Sequence, residues 1–135
     1  AVNTVPAAAE MQVDARVWRL EDAAWVNQQV YALRPHLPGA SLQISGGVER
    51  PPMERLPGTV RLFELARRLG QEIGLDLVER AVGGASDGNF TAALGIPTLD
   101  GLGVCGDGAH TDEEYVLIGQ LAPRAAVLAG LLLNV

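Results

Sequence analysis

The residues able to do chemistry crowd between Gly83 and Val116, in the stretch GGASDGNFTAALGIPTLDGLGVCGDGAHTDEEYV. At its head, Gly83-Gly84-Ala85-Ser86-Asp87-Gly88-Asn89 offers backbone N–H groups, a hydroxyl and a carboxylate ahead of a helix expected over 89–94. N–H groups at a helix start attract anions, a substrate carboxylate among them. Further on, His110 follows Gly108-Ala109 and precedes Thr111-Asp112-Glu113-Glu114-Tyr115-Val116. An imidazole after a glycine loop, with carboxylates near enough to orient it, suits a metal ligand or a proton carrier. Glycines at 83, 84, 88, 95, 101, 103, 106 and 108 let backbone come close to a ligand, at an entropic cost on folding. The same density also fits a run of plain turns, and a single histidine is weak support for a metal.

Those loops need elements to hold them. Ala9, Met11, Val13, Ala15 and Val17 alternate with Glu10, Gln12, Asp14 and Arg16, a period of two that predicts a strand with one buried face. Glu21-Asp22 then starts a helix with acids at its positive end, Val26, Val30 and Leu33 give its apolar stripe, and Pro35 stops it. Leu42 and Ile44 mark a second strand before Gly46-Gly47. His36, near the helix end, reads as a solvated surface histidine. A Pro-stiffened link through Arg50-Pro51-Pro52 leads to an amphipathic helix over 59–69, with Leu62, Phe63, Ala66 and Leu69 on one face. Strands are expected over 75–82 and 96–99, and a closing helix over 123–133 with Pro123 in its first turn. Strands alternating with helices imply an α/β layer whose loops present a site at strand ends.

Composition sets the outer limits. The chain has 135 residues, 48% of them hydrophobic, enough for one ordinary domain core. A net charge of −6 leaves no basic footprint for nucleic acid. The apolar tail over 125–133 is too short to span a bilayer, so neither a membrane nor a nucleic acid is an expected partner. The single cysteine, Cys105, closes no intrachain disulfide and reads as a small residue buried in a glycine loop. The opening Ala1-Val2-Asn3-Thr4-Val5-Pro6 reads as the middle of a longer chain. The expected location is the cytoplasm, a leader ahead of these residues being outside the reading.

Three ordered blocks, GGASDGNF, then GIPTLDGLG, then G-x-G-A-H-T-x-x-E-Y-V, resemble the C-terminal part of the zinc-dependent exopeptidase family. That family includes glutamate carboxypeptidase, aminoacylase, acetylornithine deacetylase and succinyl-diaminopimelate desuccinylase, and the likeness is to its glutamate-carboxypeptidase-like branch. The resemblance extends along the whole chain but covers only the last third or so of a typical member. It implies residues 1–48 as the C-terminal half of a ferredoxin-like α+β lid, through which members dimerise. Residues 49–135 would then be the C-terminal part of the α/β catalytic domain.

What the resemblance implies chemically is hydrolysis of an amide by two zinc ions bridged by a carboxylate and a water. His110 follows the family's terminal histidine ligand, while the other ligands and the base lie upstream in members and have no counterpart here. Arg50 stands where the family has an arginine that forks onto the substrate carboxylate, and the resemblance implies that Gly84 and Ser86 hold that carboxylate with it. Asn3 matches the family's lid asparagine, and Arg80 is a second, weaker carboxylate candidate. Glu114 is read as structural. The expected substrate is a small acyl- or peptidyl-amino acid, and the expected partners are the missing N-terminal part and a second copy through the lid. Two alternatives stay open: a deacylase or desuccinylase within the enzyme class, and a noncatalytic binding or dimerisation module. As an isolated segment, the chain is expected to be inactive.

Overall fold

The computed structural model describes residues 3–135. In chain order it contains α1 (Leu20–Ala32), α2 (Pro57–Glu72) and the short α3 (Gly88–Ala93), then β1 (Gly106–Asp107) and β2 (Tyr115–Val116). A single 3-10 turn, Ile118–Gln120, runs directly into α4 (Leu121–Asn134). The architecture is mixed: helices joined by long irregular connections, with one small antiparallel sheet whose register pairs Gly106 with Val116 and Asp107 with Tyr115.

The core is the crossing of α2 and α4. Ala66 from α2 and Val127 and Leu131 from α4 are buried, with Leu65, Leu69, Leu75, Leu77, Leu99 and Leu102 packed around them. Close approach depends on small residues: a Cβ added to Gly130 would lie 3.1 Å from a Leu69 methyl carbon, tighter than ordinary packing. Pro57 opens α2, where its missing N–H costs nothing because the first helical N–H groups have no partner. Leu131 is only 6% exposed. Leu131→Ala should therefore lower unfolding stability by about 2–5 kcal/mol, the range for a large side chain lost from a core, read as a shift in urea midpoint.

The helices fall close to where their apolar stripes and stop signals place them. The strands do not. Residues expected as strands over 9–17, 42–44, 75–82 and 96–99 carry no strand, and the strand–helix–strand pattern of the first third survives only as α1. A strand exists only when a second strand takes its backbone hydrogen bonds, and no such partner lies among the described residues. Met11 and Val13, expected on a buried face, are 82% and 69% exposed. His36 is exposed, as the sequence predicts.

Two side-chain ties brace the region leading to the site. Arg55, just before α2, donates from Nε to both carboxylate oxygens of Glu79 at 3.0 Å and from Nη2 to Oε1 at 2.7 Å. Those hydrogen bonds hold the Glu79 carboxyl below its usual range. Arg16 donates to the Gly83 carbonyl at 3.0 Å, linking the first third of the chain to the glycine loop.

Candidate functional site

The glycine loop and the Arg50 linker meet through α3. Arg50 lies with its guanidinium carbon 5.0 Å from the centre of the Phe90 ring, a cation–π distance, and Nη1 is 3.9 Å from Asp87 Oδ1. The Arg50 side chain remains 40% exposed, so a ligand can reach it. Phe90 and Asp87 flank Asn89, the buried polar residue among those described, at 8% exposure. Its amide faces both ways: Nδ2 donates to the Pro51 carbonyl at 2.8 Å, and Oδ1 accepts from the Ser86 N–H at 2.9 Å.

Ser86 is held from three sides. Its hydroxyl donates to Asp100 Oδ2 at 2.6 Å and accepts from the Gly88 N–H at 3.1 Å, while its own N–H goes to Asn89. Both donors of Ser86 are thus engaged within the chain. Gly84 is exposed beside it. On the far side of α3, the Thr91 and Thr98 hydroxyls lie 2.9 Å apart, fixing the turn that returns to Asp100.

From Asp100 the chain passes to the hairpin that carries His110. Arg124 of α4 clamps this passage, donating from Nη1 to the Gly101 carbonyl at 3.0 Å and from Nε to Cys105 Sγ at 2.9 Å. Cys105 is half-buried, less enclosed than a buried loop residue. Gly106 must be glycine, since a Cβ there would fall 2.0 Å from the Tyr115 carbonyl oxygen.

His110 sits at the exposed tip with φ 68, the one non-glycine with positive φ among the described residues. The turn around it is closed by Thr111 N–H to Gly108 O at 3.0 Å, and Thr111 Oγ1 donates to the same oxygen at 2.7 Å. His110 takes the third position of that turn, where positive φ usually calls for Gly or Asn. The turn holds the imidazole at an exposed position on a left-handed backbone. Glu114 closes the next turn through its N–H to the Thr111 carbonyl at 3.2 Å.

The other expected site residues stand apart. Asn3 and Arg80 are both exposed, and among the described residues neither is tied by a hydrogen bond or ion pair to the glycine loop. The arginine that does touch that loop from the first third of the chain is Arg16. No hydrogen bond or ion pair joins His110 to Arg50 among the described residues. A shallow groove lined by Gly58, Arg61 and Leu62 runs along α2 beside Pro97, away from Arg50. Asn89, Asp100 and Arg16 were not marked out by the sequence. An Asn directly after an Asp-Gly reads as turn chemistry, which its local bond from Ser86 N–H fits, while its long-range partner, the Pro51 carbonyl, is visible only in three dimensions.

Among the described residues, no group of three or more His, Cys, Asp or Glu side chains could hold a metal ion, whereas a catalytic zinc site takes about three protein ligands. The residues present do not by themselves fit one. Among the described residues, no helix is long and apolar enough to cross a membrane.

Comparison with known proteins decides the family, since peptidase family M20/M25/M40 matches residues 7–134. The chain belongs to that family. Carboxypeptidase G2 of Pseudomonas sp. (strain RS-16) is 32% identical over 136 aligned residues, covering 98% of this chain and 33% of the relative. The chain thus spans about a third of the length of that relative. No solved structure matches it significantly.

Proposed function

We propose that the chain is the C-terminal portion of a zinc-dependent peptidase or amidohydrolase that cleaves the amide bond of an acyl- or peptidyl-amino acid. In this reading Arg50 forks onto the free carboxylate of the released amino acid, assisted by backbone N–H at Gly84. Ser86, with its donors engaged at Asn89 and Asp100, shapes the loop. Residues 1–48 serve as a lid and dimer surface that brings Asn3 toward a reacting carbonyl, and residues 49–135 are part of the catalytic domain. His110 contributes one zinc ligand, with the others supplied by sequence outside these residues.

The observation that supports the reading is the meeting of Arg50 with the glycine loop: an accessible guanidinium stacked on Phe90 and close to Asp87. A planar guanidinium matches the two oxygens of a carboxylate, and a net charge of −6 gives no basic footprint for a nucleic acid. The test is release of free glutamate from an acyl-glutamate by the full-length protein, with and without a chelator. Chelator-sensitive release is the expected result. Binding without release would favour the noncatalytic module, and faster release from acylornithine or succinyl-diaminopimelate would favour a deacylase or desuccinylase.

A further inference from the structure

We propose that Asn89 is a positioning residue for Arg50. The proposal rests on the reading of Arg50 as the partner of the substrate carboxylate. Asn89 is buried, at 8% exposure, and its side chain spends both ends on backbone far apart in sequence. Nδ2 holds the carbonyl of Pro51, the residue directly after Arg50, and Oδ1 holds the N–H of Ser86. A buried amide with both ends satisfied fixes what it joins, because breaking either bond strands a polar group away from water.

The joined parts are the two that must agree for a carboxylate to be gripped. On one side is the backbone that sets where Arg50 starts. On the other is the glycine loop, itself braced by Ser86 to Asp100. Asp87 and Phe90, which flank Asn89, are the residues Arg50 lies against. A guanidinium on a flexible stem loses bidentate geometry with small displacements of its backbone. Asn89 thereby acts on the ligand through Arg50 and touches no ligand itself. Ser86 belongs to the same brace, since neither of its donors is left for an anion.

The experiment uses the full-length protein with an acyl-glutamate and its α-methyl ester, comparing wild type, Asn89→Ala, Asn89→Asp, Arg50→Ala and the Arg50→Ala/Asn89→Asp double variant. Asn89→Asp keeps the shape and the acceptor for Ser86 but sets an acceptor against the Pro51 carbonyl in place of the donor, and circular dichroism establishes that each variant is folded before its kinetics are read. Each Asn89 variant should raise KM for the free acid about ten-fold, the effect of one buried hydrogen bond, with kcat nearly unchanged and the ester's KM nearly unchanged. In the Arg50→Ala background, Asn89→Asp should add nothing. Equal KM increases for acid and ester, or an undiminished loss in that background, would overturn the proposal. Hydrogen exchange reads the brace without turnover: the Ser86 amide should exchange faster in Asn89→Ala and stay protected in Asn89→Asp. An unchanged Ser86 amide in a folded Asn89→Ala overturns the brace whether or not the protein is a peptidase. Absence of acyl-glutamate hydrolysis in wild type instead overturns the reading of Arg50.

Discussion

Replacing His110 with glycine in the full-length protein should strip bound zinc and lower turnover on the order of a thousand-fold, while the fold survives. The separation follows from the backbone. His110 is held at φ 68 in a turn whose closing bonds come from Thr111 and Gly108, so the imidazole contributes nothing to closing it. Glycine takes that conformation without the steric cost a Cβ brings there, so with zinc removed from both proteins the stability should hold or rise slightly. Metal analysis and turnover on the zinc-loaded proteins, and thermal unfolding of both proteins without metal, give the three readings. Full metal content at a normal rate would remove His110 from the ligand set. A parallel fall in stability would mean that the side chain has a packing role not seen at its exposed position.

The second large effect is expected at Arg50. Arg50→Ala should raise KM for an acyl-amino acid with a free carboxylate roughly ten- to a hundred-fold, the range for a hydrogen-bonded charge lost from its partner. Arg50→Lys should recover little, since an ammonium keeps the charge but not the planar fork, and it stacks less well on Phe90. The comparison that isolates the carboxylate is the ester of the same substrate. Esterification should penalise the wild type heavily and the variant hardly at all. Should it penalise both equally, another group holds the carboxylate.

Much of the helical framework was legible because it depends on short-range pattern. The α2 helix (Pro57–Glu72) carries its apolar stripe and a proline suited to its first turn, and its buried Ala66 is among the residues the stripe marks. The α4 helix (Leu121–Asn134) begins two residues before the expected start at Pro123, which the first turn accepts because its N–H groups lack partners. Strands depend on what lies across from them. Alternation over 9–17 describes a face that could be buried, and with no second strand beside it Met11 and Val13 stay in solvent. The hairpin pairing Gly106–Asp107 with Tyr115–Val116 is too short to leave any periodic trace.

The site divides along the same line. His110 and Arg50 stand out by chemistry, and Gly84 and Ser86 by their place in a glycine loop. Asn89 and Asp100 owe their importance to partners 38 and 14 residues away, a relation that spacing does not encode. Arg16 was read as the polar side of a strand and instead reaches Gly83. Cys105 looked like filler in a glycine loop, and it accepts a hydrogen bond from Arg124 that ties the hairpin to the last helix.

The proposal that these residues hold the carboxylate grip and one ligand, with the rest of the zinc site outside them, is tested most directly by zinc calorimetry on the isolated 135 residues. The full-length protein serves as reference, and both samples are assayed on an acyl-glutamate. The segment should bind zinc weakly and without fixed stoichiometry, show no turnover and tend to associate through its exposed apolar surface, including Leu132 and Leu133 at 71% and 85% exposure. The full-length protein should bind zinc tightly and hydrolyse the substrate. Tight stoichiometric zinc with turnover in the segment alone would mean that the ligands lie within it after all.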